Sequence, residues 1–224
     1  MREVVTGKTL VFSTDETVGP APVGVAYGPN ARQFPRNLYA ASKAGGEMVA
    51  MAYAETFGIP TIITRCTNVV GPQGPGNAPG QNDEKFPVIL CRKLLAGETV
   101  QIHTVDGVPC SRFYVHVRNV CGAVLHILKN GECINGEDGV GIYHIAGERE
   151  ISNVEFTEFA AKTLGVEARF ELVERPPNRL KPDLRYCLDD AELRALGWVP
   201  EVGFYEGLAE TVRSYAPARD TARP

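Results

Sequence analysis

The sequence predicts an α/β protein with a parallel sheet, and three observations lead to this fold class. Residues 9–12 (TLVF) form a short apolar, β-prone run, and residues 61–66 (TIITRC) form a second one. Between them, residues 37 to about 57 carry apolar positions at helical spacing, and Gly58-Ile59-Pro60 stops that helix. A strand–helix–strand unit of this kind joins two parallel strands.

The remaining elements each have a local signal of their own. Asn37 belongs to the residue types that cap helix N-termini, and Ser152 with Glu155 three residues later forms a capping-box pattern. A segment rich in proline and basic residues covers 175–186. Further helices are predicted at residues 84–95, 119–128, 189–196 and 203–215, and further strands at 100–103, 112–117 and 141–147.

The composition is that of an ordinary soluble protein. The 224 residues are 44% hydrophobic and 22% charged, and a net charge of −4 offers no basic footprint for nucleic acid. No apolar run approaches the roughly 20 residues that span a bilayer, and no signal peptide is visible. Six scattered cysteines without a C-x-x-C pair are typical of a reducing compartment, and the four histidines lack metal-ligand spacing. We therefore expect a cytoplasmic protein without nucleic-acid, membrane or metal partners.

Two short segments carry the candidate chemistry. Tyr39 and Lys43 are four residues apart on the predicted helix, so they share one face. A lysine ammonium near a phenol favours the phenolate, and such a tyrosine can act as a general base near neutral pH. Thr14, Asp15 and Glu16 follow the first strand, where ligands bind in an open parallel sheet. The Tyr–Lys pair alone is typical of a solvated helix face, but both segments in this order favour an active site.

These residues resemble a known family. The chain is similar to the extended short-chain dehydrogenase/reductase superfamily, the NAD-dependent epimerases and dehydratases of nucleotide sugars, and especially to its dTDP-glucose 4,6-dehydratase branch. The acidic pair after Thr14 distinguishes that branch, because epimerase relatives usually lack it. The resemblance is carried by Ser13-Thr14-Asp15-Glu16 with Gly19, Tyr39-Ala40-Ala41-Ser42-Lys43, Arg65-Cys66-Thr67-Asn68 with Gly71-Pro72, Glu84-Lys85-Phe86-Pro87, and Arg112 with Tyr114-Val115.

The resemblance implies a catalytic role for each of five residues. Tyr39 would take the proton from the sugar 4-hydroxyl while hydride leaves C4 for NAD. Lys43 would lower the tyrosine pKa and hold the nicotinamide ribose, and Thr14 would position the 4-hydroxyl. Asp15 would protonate the leaving 6-hydroxyl and Glu16 would remove the C5 proton. Oxidation at C4 acidifies C5, so paired carboxyls in different environments can serve as acid and base.

The resemblance also implies binding residues and partners. NAD is the expected cofactor and a dTDP- or UDP-hexose the expected substrate. Asn68 and Arg112 would bind the diphosphate, since guanidinium matches phosphate geometry, and Lys85 and Phe86 would lie by the nucleotide base. The remaining expected positions are Ser13 and Cys66 for the cofactor, in addition to Tyr39 and Lys43, and Arg175 and Tyr186 for the substrate.

For the fold, the resemblance implies the C-terminal part of a Rossmann-type parallel sheet plus a smaller α/β nucleotide-sugar-binding domain. Residues 1–70 would be the partial Rossmann layer and 71–216 mainly the substrate region. Residues 112–130 would return to the Rossmann layer, and 217–224 would be a tail. Family members are commonly dimers through a helix pair that includes the Tyr39 helix, so we expect a homodimer if the sheet is complete.

The chain departs from the family pattern at its start. Nothing before Thr9 matches the G-x-x-G-x-x-G turn that grips the NAD pyrophosphate. We therefore expect a fragment that needs the missing N-terminal half for activity. Val69, His144 and the long segment 175–186 also differ from the usual motifs, which leaves the base and the hexose open. Two alternatives stand beside the dehydratase: a nucleotide-sugar epimerase or decarboxylase, and a non-catalytic nucleotide-sugar-binding fragment.

Overall fold

A computed structural model describes residues 7–72, 85–136, 139–174 and 184–216. The chain divides into two compact units. Unit 1 contains Met1–Val69, Arg112–Glu150 and Arg185–Val202, and unit 2 contains Val70–Ser111, Ile151–Leu184 and Gly203–Pro224. Unit 1 thus includes residues 131–150 and 185–202, which the sequence-based division had assigned to the substrate region.

The fold is α/β, as predicted, with strands and helices interspersed along the chain. The strands are β1 (Thr9–Thr14), β2 (Thr61–Cys66), β3 (Asn68–Val70), β4 (Val100–Val105), β5 (Val108–Pro109), β6 (Ser111–His116), β7 (Ile142–Ile145), β8 (Glu150–Ser152) and β9 (Phe170–Glu174). The helices are α1 (Leu38–Phe57), α2 (Phe86–Leu95), α3 (Val117–Asn130), α4 (Asn153–Leu164), α5 (Ala191–Ala195) and α6 (Phe204–Arg213), and a short 3-10 helix covers Asp15–Val18. No helix among these described residues is both long enough and apolar enough to traverse a bilayer.

Unit 1 contains a parallel sheet of order β1-β2-β7. Thr14 at the end of β1 pairs with Cys66 at the end of β2, and Cys66 pairs with Ile145 at the end of β7. The predicted parallel pairing of the first two strands is confirmed. Because the three strands run in one direction, their carboxyl ends meet at one edge of the sheet, where ligands bind in this class of fold.

Helix α1 begins and ends where the sequence predicted. The Oδ1 atom of Asn37 accepts a hydrogen bond from the backbone N–H of Ala40 at 2.8 Å, so it satisfies one of the unpaired donors of the first turn. At the other end, Gly58 adopts a left-handed conformation with φ 63°, which glycine reaches without steric cost. The helix is therefore bounded by residues whose chemistry the termini require.

Apolar side chains on one face of the β2–β7 pair form a buried core cluster of unit 1. Helix α3 contributes Val120, Ala123 and Ile127, which recur at helical spacing and pack against the sheet. The other members of this buried cluster are Ile62, Cys66, Val115, Tyr143, Ile145, Leu193 and Trp198. The core fixes β2, and with it the site edge of the sheet.

Unit 2 contains a sheet of order β5-β4-β9 with helices α2, α4 and α6. Helix α4 has the predicted capping box, in which Ser152 and Glu155 exchange side-chain and backbone hydrogen bonds. Strands β4 and β5 are joined by Asp106 and Gly107, both at positive φ, and the Glu174 carboxylate accepts from both backbone N–H groups. Strands β3, β5, β8 and β9 were not predicted. The predicted tail at 217–224 and most of segment 175–186 lie outside the described residues.

Candidate active site

The candidate site begins where β1 ends. The 3-10 helix folds the chain back directly after Thr14, and the Thr14 backbone oxygen accepts from the Thr17 hydroxyl at 2.9 Å. The Thr14 hydroxyl in turn donates to the carboxylate of Asp15 at 3.1 Å. The predicted triplet Thr14, Asp15 and Glu16 is therefore held in one tight turn at the carboxyl edge of the sheet.

Asp15 is a buried carboxyl group whose acidity is strongly altered. Asp15 is only 5% exposed, and burial raises the pKa of its carboxyl group to about 7. The hydrogen bond from Thr14 and the charge of Arg112 lower this pKa, while the charge of Glu16 raises it, but burial outweighs them. Asp15 thus keeps a proton that it can donate up to about pH 7.

Tyr39 lies in the first turn of α1, and its hydroxyl is hydrogen-bonded to Thr14. Burial raises the pKa of this phenol, and the carboxylates of Glu16 and Asp15 raise it further, whereas the Thr14 hydrogen bond lowers it. The net shift of this pKa is upward, opposite to the lowering that the sequence predicted from Lys43. The Lys43 Nζ atom instead donates to the backbone oxygen of Phe12 at 2.6 Å.

Glu16 is connected directly to the start of α1. Its Oε2 atom accepts a hydrogen bond from the side-chain amide of Asn37 at 2.6 Å. Asn37 therefore joins the acidic turn after β1 to the helix that carries Tyr39. The sequence indicated Asn37 only as a cap, because nothing in the spacing of residues 16 and 37 reports their contact.

A buried ionic network lies between α1 and β2 in the same unit. Glu47 and Arg65 form an ion pair at 2.8 Å, and their side chains are 0% and 2% exposed. The Ser13 hydroxyl donates to Glu47 Oε1, and Gln33 Nε2 donates to Glu47 Oε2 at 2.6 Å. Sequence reasoning missed this network, although Glu47 falls on the buried stripe of α1 with Ala40, Ala44 and Ala54.

Four other expected site residues lie in unit 1. Cys66 is buried at the end of β2, and burial together with the charge of Asp15 raises the pKa of its thiol. The Arg112 guanidinium lies 5.1 Å from the centre of the Tyr186 ring and interacts electrostatically with Asp15. Asn68 is exposed at the start of β3.

Three expected binding residues are not part of unit 1. Lys85 is the N-cap residue of α2 in unit 2 and is exposed. Phe86 follows it, and its ring packs edge-on against Phe156 with centroids 6.2 Å apart. Arg175 lies outside the described residues.

The site thus combines groups with different proton affinities. Asp15, whose pKa is raised to about 7, adjoins the Glu16 carboxyl group, and both raise the pKa of the Tyr39 phenol. Two carboxyl groups in unlike environments are the arrangement that divides acid and base roles in one active site. Arg112 adds a fixed positive charge beside them.

These features define a protein of the short-chain dehydrogenase/reductase type. The model of the NAD dependent epimerase/dehydratase family matches residues 1–146, and the chain belongs to this family.

Similar proteins within the family include dehydratases. The chain is 35% identical to a dTDP-glucose 4,6-dehydratase of Streptomyces niveus over 95% of its own length and 58% of that protein. It is 34% identical to the low-salt glycan biosynthesis protein Agl12 of Haloferax volcanii, over 92% of the chain and 61% of the relative. The chain therefore spans about 60% of the length of these relatives.

Solved structures of similar fold include a dehydratase and an epimerase. A dTDP-glucose 4,6-dehydratase from Bacillus anthracis in complex with NAD aligns with a TM-score of 0.78 and 30% identity, covering 93% of this chain and 61% of that one. The UDP-glucose 4-epimerase of Thermus thermophilus, also in complex with NAD, aligns with a TM-score of 0.76 and 27% identity, covering 93% and 64%. The Rossmann-type fold expected from the sequence is confirmed.

Proposed function

We propose that this chain carries the catalytic centre of an NAD-dependent nucleotide-sugar 4,6-dehydratase. The observation that carries the proposal is that Asp15, a buried carboxyl group whose pKa is raised to about 7, adjoins Glu16, a half-buried carboxyl group that is hydrogen-bonded to Asn37. Dehydration across C5 and C6 needs one group that gives a proton and one that takes it. Neighbouring carboxyls with separated roles meet that need.

The residues at the strand ends fit a nicotinamide cofactor. Tyr39 is 54% exposed and Lys43 is half-buried, so both can be reached from solvent beside the end of β1. The Lys43 ammonium has three donors and uses one on Phe12, which leaves two for ribose hydroxyls. Ser13 and Cys66 would line the same edge. NAD, when bound, would supply the hydride acceptor for C4 and the hydride donor for C6.

Thr14 and Tyr39 would together bind the sugar 4-hydroxyl and remove its proton. Thr14 is hydrogen-bonded to the Tyr39 phenol, so a 4-hydroxyl that contacts Thr14 is within reach of Tyr39. Tyr39 would remove the proton from this oxygen. Because burial raises the pKa of Tyr39, we expect the rate of this step to rise with pH as more of the phenol ionises.

The carboxyl pair would then remove water. A carbonyl at C4 acidifies the C5 hydrogen, and the Glu16 carboxylate would take that proton. Asp15 would give its proton to the oxygen on C6, which leaves as water. The same division explains the value of burying Asp15, because an exposed aspartate would be ionised at neutral pH and could not act as the acid.

The substrate would be a nucleotide diphosphate hexose. Arg112, held against the Tyr186 ring, would pair with the diphosphate, and exposed Asn68 would donate to it. Lys85, Phe86 and Arg175 remain proposed contacts for the base and phosphate. The base is thymine or uracil in this proposal, since both kinds of nucleotide sugar occur in the names of the similar proteins.

We also propose a homodimer in the cytoplasm. Helix α1 has an exposed apolar stripe, Val49, Tyr53 and Phe57, with the four-residue spacing that packs against a second helix. The free state of the six cysteines is consistent with a reducing compartment.

A product analysis by mass spectrometry tests the proposed function. The purified chain, supplied with the N-terminal half that the resemblance implies it needs, is incubated with NAD and either dTDP-glucose or UDP-glucose, and the expected product has lost one water. Glu16→Gln is expected to lower the rate by about 100-fold or more, as for loss of a general base. Glu167→Gln, at an exposed carboxylate of unit 2, is the matched control and is expected to retain the rate. An unchanged rate in Glu16→Gln would overturn the assignment.

Product analysis and calorimetry together separate the alternatives. A product of unchanged mass with one inverted hydroxyl would favour the epimerase activity that the name of the Thermus thermophilus neighbour states. Calorimetric binding of dTDP with neither NAD binding nor turnover would favour a non-catalytic nucleotide-sugar-binding fragment.

A further inference from the structure

We propose that Asn37 is a positioning residue that orients the Glu16 carboxylate toward its proton-abstracting role. The inference rests on the proposed function, and it adds a residue to the site beyond those that the family motif implies. Asn37 touches neither the substrate nor the cofactor in this proposal. It acts through Glu16.

The geometry gives Asn37 two simultaneous hydrogen bonds of opposite direction. Its Oδ1 atom accepts from the backbone N–H of Ala40 at 2.8 Å, and its Nδ2 atom donates to Glu16 Oε2 at 2.6 Å. The first bond fixes the rotation of the amide, because the oxygen must face the helix. The second bond then follows from the planarity of the amide group, which aims the NH2 at Glu16.

This contact limits the freedom of a flexible side chain. A glutamate has three rotatable bonds, and ordering one costs free energy unless a partner holds it. One carboxylate oxygen of Glu16 is engaged by Asn37, while the carboxylate keeps its other oxygen as a base. Because a base must lie within hydrogen-bond reach of its proton, holding the carboxylate in one orientation affects the rate directly.

The contact also couples Glu16 to Tyr39. Asn37 precedes Tyr39 by two residues and caps the helix that carries it. The position of the phenol and the orientation of the carboxylate are therefore set by one side chain. A cap alone does not need an asparagine, since serine, threonine and aspartate cap equally well, but only asparagine among these carries an amide donor.

Two substitutions separate capping from positioning. Asn37→Asp keeps the size of the side chain and the cap, but it replaces the donor by an oxygen that repels Glu16. Asn37→Ser also keeps a cap and removes the amide without adding charge. Both variants are expected to fold with α1 still capped, because aspartate and serine are good caps.

The expected kinetic result is a fall in kcat with KM unchanged. With NAD and dTDP-glucose, Asn37→Asp is expected to lower kcat by about 10- to 100-fold, the size of one lost hydrogen bond to a charged group. Asn37→Ser is expected to fall between that variant and the parent. Wild-type kcat in both variants, while Glu16→Gln loses turnover, would overturn the role of Asn37 and leave the proposed function standing.

A spectroscopic readout tests the contact without turnover. The side-chain amide resonance of Asn37 is assigned by its loss in Asn37→Ser, and it is expected to shift when Glu16→Gln removes the charged acceptor. The backbone amide of Ala40 is the internal control and is expected to keep its shift. An Asn37 side-chain resonance that ignores Glu16→Gln would overturn the inference. A response to Glu16→Gln in a chain that removes no water supports the contact, and only the proposed function then fails.

Discussion

Two buried carboxyl groups in unit 1, Asp15 and Glu47, differ in the partners that the fold gives them. Glu47 is paired with Arg65 and accepts further hydrogen bonds from Ser13 and Gln33. Asp15 accepts a hydrogen bond from a neutral threonine, and burial raises its pKa to about 7. Burial alone therefore does not decide what a carboxyl group does. A close cation and several donors make it part of the scaffold, whereas fewer compensating contacts make it a proton donor.

The largest expected effect comes from breaking the scaffold pair. Glu47→Ala leaves Arg65 buried without its counter-ion and is expected to destabilise the fold by about 3–5 kcal/mol. Urea denaturation measures the loss. The matched control is Glu167→Ala, which breaks an exposed pair with Arg169 and is expected to cost less than about 1 kcal/mol. Equal losses in the two variants would remove the distinction between buried and exposed pairs in this chain.

Replacing Asp15 is expected to stabilise the fold, whereas replacing Glu47 destabilises it. The pKa of Asp15 is about 7 in the folded state and ordinarily 3.8. The contribution of Asp15 to the stability of the fold is therefore fully present below about pH 4 and is lost as pH rises through 7. Asp15→Asn removes this cost and is expected to stabilise the fold at pH 8 by on the order of 4 kcal/mol, at 1.36 kcal/mol per pKa unit. Thermal unfolding at pH 5 and pH 8 checks it, and a stability difference between parent and variant that does not grow with pH would contradict it.

The same titration is expected to appear in turnover. If Asp15 is the acid, dehydration falls as pH rises above about 7, because the proton to be donated is then absent. A profile of kcat against pH measures this limb. Asp15→Asn is expected to lose about 100-fold or more in rate even where it is the more stable protein. A variant that dehydrates at the parent rate would separate the acidic group from the chemistry.

The smallest expected effect concerns Ser13, which connects the strand end that carries Asp15 to the buried Glu47. Ser13 immediately precedes Thr14 and donates its hydroxyl to Glu47, so the strand end that carries the site is attached to the ionic network. Ser13→Ala is expected to cost about 1.5–3 kcal/mol, the range for one hydrogen bond to a charged acceptor. Urea denaturation gives the value, and Ser42→Ala, on the exposed face of α1, is the control. A loss no greater than the control would show that the network does not depend on Ser13.

The sequence was most informative where the signal was local. Asn37 and Gly58 mark the ends of α1 because capping chemistry depends on neighbouring residues, and the position of Thr14, Asp15 and Glu16 at the end of the first strand followed from a short motif. The Glu47–Arg65 pair was missed because its members lie 18 residues apart. Strand β9 was missed because its residues do not alternate between buried and exposed.

The acidity of Tyr39 could not be predicted from its spacing to Lys43. Spacing places the two residues on one helix face, but it does not report where the ammonium finds its hydrogen bond. In the structure that partner is the backbone of β1. Burial and the charges of Glu16 and Asp15 set the direction of the pKa shift of the phenol. The direction of a pKa shift depends on all surrounding groups, which only the fold brings together.

The single hydroxyl of Thr14 lies between Asp15 and Tyr39 and has one proton to give. While it donates to an ionised Asp15, it can only accept from Tyr39, so both bonds point toward the carboxylate. Once Asp15 is protonated, that group can donate to Thr14, and Thr14 can then donate toward the phenol oxygen. The direction of the hydrogen bond between Thr14 and Tyr39 therefore depends on the charge of Asp15. The acid and the base are thus not independent titrating groups.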